Sequence, residues 1–170
     1  GIPDDVEEFF TGVIGEGVAA TPNPVLGWVG SLSEFEGTKG YWAKVDEGFE
    51  FSYDLSNASS YRVSTNEEVD IPYEFTQSTQ QAFYFIEKID AEINNGDWIL
   101  AYNNGVLVGS RQWRGIYTDI PAMGYDDISS SGYCEVGDIP QFVWIEKPLK
   151  KIDFFFSQWL HVECNLKVDW

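Results

Sequence analysis

The sequence predicts an all-β protein, specifically a β-sandwich of the jelly-roll or immunoglobulin-like type that follows a small glycine- and aromatic-rich β module. Three observations predict this class. Apolar residues mostly recur with a period of two, which is the pattern of half-buried strands. The chain holds 16 glycines, which suit tight turns, and 16% aromatic residues, which are enriched in strands. Only one short segment, residues 4–11, carries the start signals of a helix, namely Pro3 and an acidic first turn.

The alternation also predicts the individual strands. An Asn-Gly step at Asn104-Gly105 lies between two apolar runs, and it predicts a hairpin because both residues tolerate positive φ. Residues 13–20 read VIGEGVAA, which predicts a strand–turn–strand rather than a dinucleotide-binding loop, since the third glycine and the following helix are missing. Further strands are predicted over residues 49–53, 81–89, 97–102, 106–111, 139–145 and 154–168.

Composition shifts divide the chain into four parts. Residues 1–56 form a small N-terminal β-rich module, and residues 57–70 form a polar linker. Residues 71–150 form the β-sandwich, and residues 151–170 form a strand-like tail. The first module is too small to bury much apolar surface alone, so we expect it to pack on the second module or on a neighbouring subunit.

Charge limits the classes of partner. The 170 residues include 10 Lys and Arg against 28 Asp and Glu, a formal net charge of -18. Such a chain has no basic stripe to bind nucleic acid. No apolar run approaches the roughly 18 residues that membrane insertion requires, and the acidic first ten residues indicate a signal peptide that is absent or already removed. The acidity fits an extracellular or marine setting, and it fits an acidic cytosolic protein as well.

Two cysteines admit two interpretations. Cys134 and Cys164 have neither CxxC nor zinc-site spacing. They could form a disulfide that fastens the tail to the preceding domain, or they could be two buried thiols acting as small hydrophobes. Sequence does not supply the Cα separation that distinguishes the two.

Three tryptophans are candidates for stacking on sugar rings, because an indole offers apolar area with a polar edge. They are Trp28, Trp42 and Trp113. Trp113 lies near a predicted loop, which favours exposure. The alternative is that all three rings fill a small core.

Four aspartates suggest a calcium site in the second module. They are Asp119, Asp126, Asp127 and Asp138. Calcium prefers six to eight oxygen ligands from carboxylates and carbonyls. The EF-hand pattern is missing, however, and acidic clusters also arise without a ligand in so acidic a chain. Calcium is the one cofactor that the sequence suggests.

Catalytic motifs are missing from the sequence. His161 lies in an apolar, strand-like run, which is typical of a structural imidazole. No Gly-x-Ser-x-Gly or HExxH motif occurs, and paired carboxylates carry no information among 28 acids. We therefore expect a protein that is not an enzyme.

Several sequence runs resemble a β-sandwich module that recurs in large secreted or surface proteins of marine bacteria and in metagenomic, partly viral, sequences. The runs are residues 73–85, 96–103, 108–113, 120–124 and 132–140. Residues 14–20, 28–32 and 39–42 resemble the unit that often precedes this module. The family has no established activity, and the resemblance implies an extracellular, structural or adhesive role. The strand that usually opens the first unit is missing before Gly1, and the tail resembles nothing in the family.

The tail is apolar and aromatic, with Phe154, Phe155, Phe156 and Trp159 too apolar to remain in water. Because a sheet lacking a strand exposes unpaired backbone groups, we expect this tail to dock onto its own first module or onto the next subunit of a fibre. The expected function is a non-catalytic structural subunit of an extracellular or virion-surface assembly, bound to copies of itself or to other surface or coat proteins. The alternative is a carbohydrate-binding or host-recognition adhesion module, with or without calcium stabilisation.

Overall fold

The computed structural model describes residues 2–52, 73–127, 131–146, 157–159 and 162–169, the last two ranges as strands without their side chains. The predicted linker, residues 57–70, and Phe154, Phe155 and Phe156 lie outside the described residues. The described strands are β1 (Phe10–Gly15), β2 (Val18–Asn23), β3 (Gly27–Gly30), β4 (Trp42–Val45), β5 (Gln81–Ile89), β6 (Trp98–Asn103), β7 (Val106–Gln112), β8 (Thr118–Met123), β9 (Gln141–Ile145), β10 (Ser157–Trp159) and β11 (Val162–Asp169).

The strands form three antiparallel sheets. The first sheet has the order β3-β2-β1-β4, the middle sheet β11-β5-β8, and the third sheet β10-β9-β6-β7. The predicted all-β class is thereby confirmed, with antiparallel sheets packed together as in a β-sandwich. Whether the sandwich is of the jelly-roll or immunoglobulin-like type stays a prediction.

Strand β5 places the middle sheet between the other two. Its side chains alternate between faces. Phe83 and Phe85 are fully buried in a cluster with Ile14 of the first sheet. Tyr84 and Ile86 belong to a second cluster, shared with residues of the third sheet. The strand predicted for residues 81–89 is confirmed, and both of its faces are buried.

Two turns follow the chemistry that the sequence predicts. Between β6 and β7, Asn103 pairs with Val106, and the turn residues Asn104 and Gly105 have φ of 48° and 84°. Positive φ at both positions is the geometry of the two-residue hairpin turn whose backbone twist matches that of the flanking strands. Between β1 and β2, Gly17 has φ of 66°, which confirms the predicted strand–turn–strand.

The helix predicted over residues 4–11 is wrong. Only Glu7–Phe9 forms a single 3₁₀ turn. The chain then enters β1, whose residues pair with β2 and β4. The Thr21 hydroxyl donates to the Thr11 carbonyl at 3.1 Å. Sheet pairing therefore determines the conformation after residue 9, despite the local signals for a helix.

The strand predicted over residues 49–53 is also wrong in its described part, since residues 49–52 have no ladder partner in the sheets described. Tyr53 lies outside the described residues. The Phe49 ring lies 5.1 Å from the ring of Phe9 and 5.4 Å from that of Phe10, between ring centres. The alternating rings thus cover the outer face of the first sheet rather than forming a strand.

The tail pairs with the second module of its own chain. Strand β10 pairs with β9 at the edge of the third sheet, and β11 pairs with β5 at the edge of the middle sheet. The expectation that the tail docks onto its own first module is therefore corrected for its described strands. Trp159 is the last residue of β10.

No helix in the described part of the chain is long and apolar enough to cross a membrane.

Candidate functional site

The outer face of the first sheet carries an aromatic cleft. Strand β3 pairs with β2, so that Trp28 lies opposite Pro22. The half-buried indole packs against an apolar cluster built on Val6, Phe10 and Val13. This cluster forms because β1 is apolar on its outer face as well as on the face toward the middle sheet.

The cleft beside Trp28 has a volume of about 310 Å³. Its apolar lining includes the buried residues Val13 and Ala20, and its acidic lining consists of three carboxylates. The described lining residues are Ile2, Asp4, Glu7, Val13, Ala20, Trp28, Leu32, Ser33, Glu34 and Phe35. The Trp28 indole N–H donates to Glu7 Oε1, which holds the ring in place. We call this site the Trp28 cleft.

The other two candidate tryptophans differ in exposure. Trp42 lies on the edge strand β4 and is 53% exposed, so it is accessible to a ligand. Trp113 is only 7% exposed and belongs to the cluster between the middle and third sheets. Its backbone N–H donates to the Asp97 carbonyl at 2.7 Å. The expected exposure of Trp113 is therefore wrong, because the chain after β7 turns this ring into the core.

A partly buried ion pair joins the middle and third sheets, and hydrogen bonds connect it to the first sheet. Arg111 Nη2 lies 3.1 Å from Asp119 Oδ2, and the same guanidinium donates to the carbonyl of Gly17. The Ser31 hydroxyl donates to Asp119 Oδ2 at 2.7 Å. These contacts connect β7 and β8 to two parts of the first sheet. They are Gly17, in the turn between β1 and β2, and Ser31, which follows the edge strand β3. We call this set of groups the Asp119 network.

Burial raises the pKa of the Asp119 carboxyl above the ordinary value of an aspartate. Loss of water around the carboxylate is the largest cause. The positive charge of Arg111 and the hydrogen bond from Ser31 act in the opposite direction. Since this side chain makes its contacts across the sheet junction, we interpret it as a structural group that connects the sheets.

A second cleft of about 330 Å³ lies beside the Asp119 network. Leu26 and Ile116, which are 56% and 63% exposed, line it together with Arg114. Asn23 Oδ1 accepts hydrogen bonds from the backbone N–H groups of Val25 and Leu26, both at 3.0 Å. This turn fixes two apolar side chains in solvent at the end of the β2–β3 hairpin.

The four aspartates considered for calcium do not share a site. Asp119 belongs to the network just described, and Asp127 is exposed. Asp126 Oδ2 accepts hydrogen bonds from the Ser78 hydroxyl at 2.9 Å and from the Thr79 backbone N–H at 3.0 Å. Asp126 therefore fixes the start of β5.

Asp138 belongs to a different hydrogen-bond network. Its Oδ2 accepts from the Glu135 backbone N–H at 2.9 Å and from the Asn103 amide at 3.2 Å. No group of three or more His, Cys, Asp and Glu side chains suited to a metal ion occurs among the described residues. The predicted set of four calcium ligands is thus spread over separate parts of the fold.

The strand register separates the two cysteines. The backbone of Cys134 forms an isolated β-bridge with Gly124, and the Gly124 N–H donates to the Gln80 carbonyl. Cys164 of β11 instead lies opposite Ile86 of β5. The six steps of extended chain from residue 80, just before β5, to residue 86 within it span about 20 Å, at about 3.3 Å per residue. A disulfide needs Cα atoms within about 7 Å. Of the two interpretations of Cys134 and Cys164, the disulfide therefore does not fit this register.

Sequence reasoning did not single out Ser31, Arg111 or the acidic side of the Trp28 cleft. Ser31 and Asp119 are 88 positions apart in the chain. No local motif marks such a contact, since it exists only when the first sheet packs on β8. For the cleft, the sequence signal is the density of acids around Pro3 and Phe35. Only the first group carries an expectation above, as the acidic first turn of a helix.

No family model, curated protein or solved structure matches the chain. The resemblance to surface modules therefore stays a prediction.

Proposed function

We propose that the protein is a non-catalytic structural subunit of an extracellular or virion-surface assembly, in which copies are linked by exchange of the C-terminal tail. One observation carries the proposal: the two described strands of the tail, β10 and β11, form the outer edges of two different sheets. An edge strand can leave its place without breaking a sheet in the middle, and the same strand of another copy can fill it.

The energetic basis is the equivalence of the two pairings. Strand β11 pairs with β5 from Val162 opposite Ile89 to Asp169 opposite Ala82. The same ladder forms whether β11 belongs to the same chain or to a second copy, so exchange changes no native contact. Protein concentration and the connection before the tail then determine which pairing prevails. Head-to-tail exchange need not close, and it would therefore give fibres.

The charge of the chain is compatible with assembly at physiological salt. A net charge of -18 keeps subunits apart in dilute solution. Physiological salt shortens the Debye length to roughly 8 Å, which permits close contact between acidic copies. Such a subunit acts through packing and contact.

The test is a cross-link between chains. Glu163 of β11 lies opposite Lys88 of β5, and paired strand residues have Cα atoms about 4.5–5.5 Å apart, within disulfide range. Chains carrying Glu163→Cys are mixed with chains carrying Lys88→Cys, both with Cys134→Ser and Cys164→Ser, at physiological salt. We expect a disulfide-linked dimer, and filaments or regular arrays of the unsubstituted chain in electron micrographs.

The control is a mixture of the Glu163→Cys chain with a Lys44→Cys chain. Lys44 is exposed on β4, which does not pair with β11. Equal cross-linking in both mixtures would indicate random collision. Cross-linking confined to a single chain that carries both Glu163→Cys and Lys88→Cys, together with a monomer at every concentration, would reject the proposal.

The second candidate function is carbohydrate or host recognition, and the 53% exposure of Trp42 favours it. An exposed indole on an edge strand can stack on a sugar ring. Glycan binding on an array should then be lost in Trp42→Ala and kept in Tyr125→Ala, a matched exposed aromatic at 52%. The calcium-stabilised form of this proposal requires the melting temperature to fall when EDTA is added.

A further inference from the structure

The Trp28 cleft is distinct from the tail and carries an inference of its own. We propose that it binds a small organic cation of the alkylammonium class, a charged nitrogen carrying apolar groups. The cleft lies on the outer face of the first sheet, where none of the proposed exchange takes place. Its volume of about 310 Å³ is at the lower end of the range for small-ligand sites.

Charge complementarity selects the sign of the ligand. Asp4, Glu7 and Glu34 line the cleft, and none of its described lining residues is Lys, Arg or His. Asp4 and Glu34 are exposed, while Glu7 is half-buried and bonded to the Trp28 indole. Three carboxylates around one opening produce a negative potential, which attracts a cation and repels an anion.

The apolar lining selects a cation that carries carbon. Val13 and Ala20 are buried in the lining, and Trp28, Leu32 and Phe35 are half-buried beside them. A hydrated metal ion would gain nothing from these side chains. An alkylammonium places its methyl or methylene groups against them while its charge stays near the carboxylates, and tryptophan is the aromatic side chain that attracts cations best.

A neutral sugar fits the cleft less well. It could stack on Trp28, but it would leave the repulsion among the three carboxylates unrelieved, whereas a cation reduces it. The Glu7 carboxylate is already occupied on one oxygen by the indole N–H, which leaves fewer acceptors for sugar hydroxyls. The distinction between the two ligands is measurable.

The experiment titrates the intact chain with choline and, separately, with 3,3-dimethyl-1-butanol, which has the same shape without the charge. Binding is followed by the NMR signal of the Trp28 indole N–H, assigned by its loss in Trp28→Phe. We expect a saturable shift with choline in the millimolar range, a weaker response at high salt, and no saturable shift with the neutral alcohol.

Matched variants locate the site. Glu34→Gln and Asp4→Asn should each weaken choline binding by about two- to fivefold, as expected for one partly exposed charge. Glu36→Gln is the control, because Glu36 is exposed nearby but does not line the cleft. All three substitutions are on the surface, so the folded spectrum should persist.

Three results would overturn the inference: no saturable shift with choline at low salt, an equal shift with the neutral alcohol, or an equal loss in Glu36→Gln. Saturation by a neutral monosaccharide and not by choline would assign the cleft to carbohydrate instead. Because the readout is local to Trp28, none of these results depends on whether the tail is exchanged between copies.

Discussion

Two tryptophans in this chain have burial opposite to the polarity of their sequence neighbours. Trp113 lies between Gln112 and Arg114, and Trp42 lies between Tyr41 and Ala43. The predicted loop beside Trp113 favours exposure of this ring, yet Trp113 is only 7% exposed, while Trp42 is 53% exposed. The side chains of a strand and its flanking residues alternate in direction, so the neighbours of a ring say little about the ring itself.

The first prediction concerns these two rings. Trp113→Ala should lower the free energy of unfolding by about 3–5 kcal/mol, because it removes a large side chain from the core and leaves a cavity. Trp42→Ala should change it by less than about 0.5 kcal/mol, as is usual for exposed positions. Urea denaturation of both variants measures the difference. Equal losses in the two variants would contradict the assigned burial.

Buried charge shows the same limit of sequence reasoning at the residue scale. Asp119 was predicted only as a calcium ligand, because an isolated carboxylate near other acids has no other local meaning. Its partners are Arg111, eight positions away, and Ser31, 88 positions away. The distant partner becomes visible only once two sheets are packed together.

At the scale of elements, turn chemistry is the part of the fold that sequence predicts best. Asn104-Gly105 requires positive φ at two consecutive positions, which few other residue pairs accept, so the hairpin follows from local physics. Alternation of apolar and polar residues is a less specific signal of a strand. In residues 49–52 the alternation arises because aromatic rings cover Phe9 and Phe10. A segment that covers a sheet needs the same apolar spacing as a strand that belongs to the sheet.

The second prediction concerns the approach of β7 to β8. A Cβ atom added at Gly109 would lie 1.7 Å from the Pro121 carbonyl oxygen, which is backbone and has little freedom to move. Gly109→Ala should therefore separate β7 from β8 and either lower the melting temperature by more than about 10 °C or prevent folding, as expected for a strain of several kcal/mol in a domain of this size.

Gly40→Ala is the matched control for this substitution. Nothing lies within 4 Å of a Cβ atom added at Gly40, and its φ does not fall in the left-handed region. Replacing this glycine should leave stability unchanged or raise it by about 0.4–1 kcal/mol, because the unfolded chain loses freedom. A Gly109→Ala protein as stable as the Gly40→Ala protein would contradict the close approach.

At the scale of the whole molecule, the Asp119 network joins all three sheets, and its charge makes that junction depend on pH. Burial raises the pKa of Asp119, so the folded protein holds the proton more tightly than the unfolded chain does. Stability from this residue is then fully present below the unfolded pKa of about 3.9, and it is lost as pH rises through the folded pKa.

The third prediction follows from that sign. Asp119→Asn removes the titration. The stability advantage of the unsubstituted protein over this variant, measured as the difference in free energy of unfolding, should therefore fall from pH 3 to pH 7. Ser31→Ala keeps the carboxyl and loses one donor, so it should retain the pH dependence. Denaturant titrations at several pH values measure both differences. A difference that rises with pH would show that the attraction of Arg111 exceeds the effect of burial.

Strand β5 illustrates a problem that the three-layer arrangement creates during folding. In a strand with one polar face, a slip of one residue would place polar groups in the core, and this penalty fixes the register. A slip of β5 would exchange Phe83 and Phe85 with Tyr84 and Ile86, and apolar groups would still face both clusters. The polar ends of the strand, Gln81 and the exposed Lys88, therefore carry the information that aligns it with its neighbours.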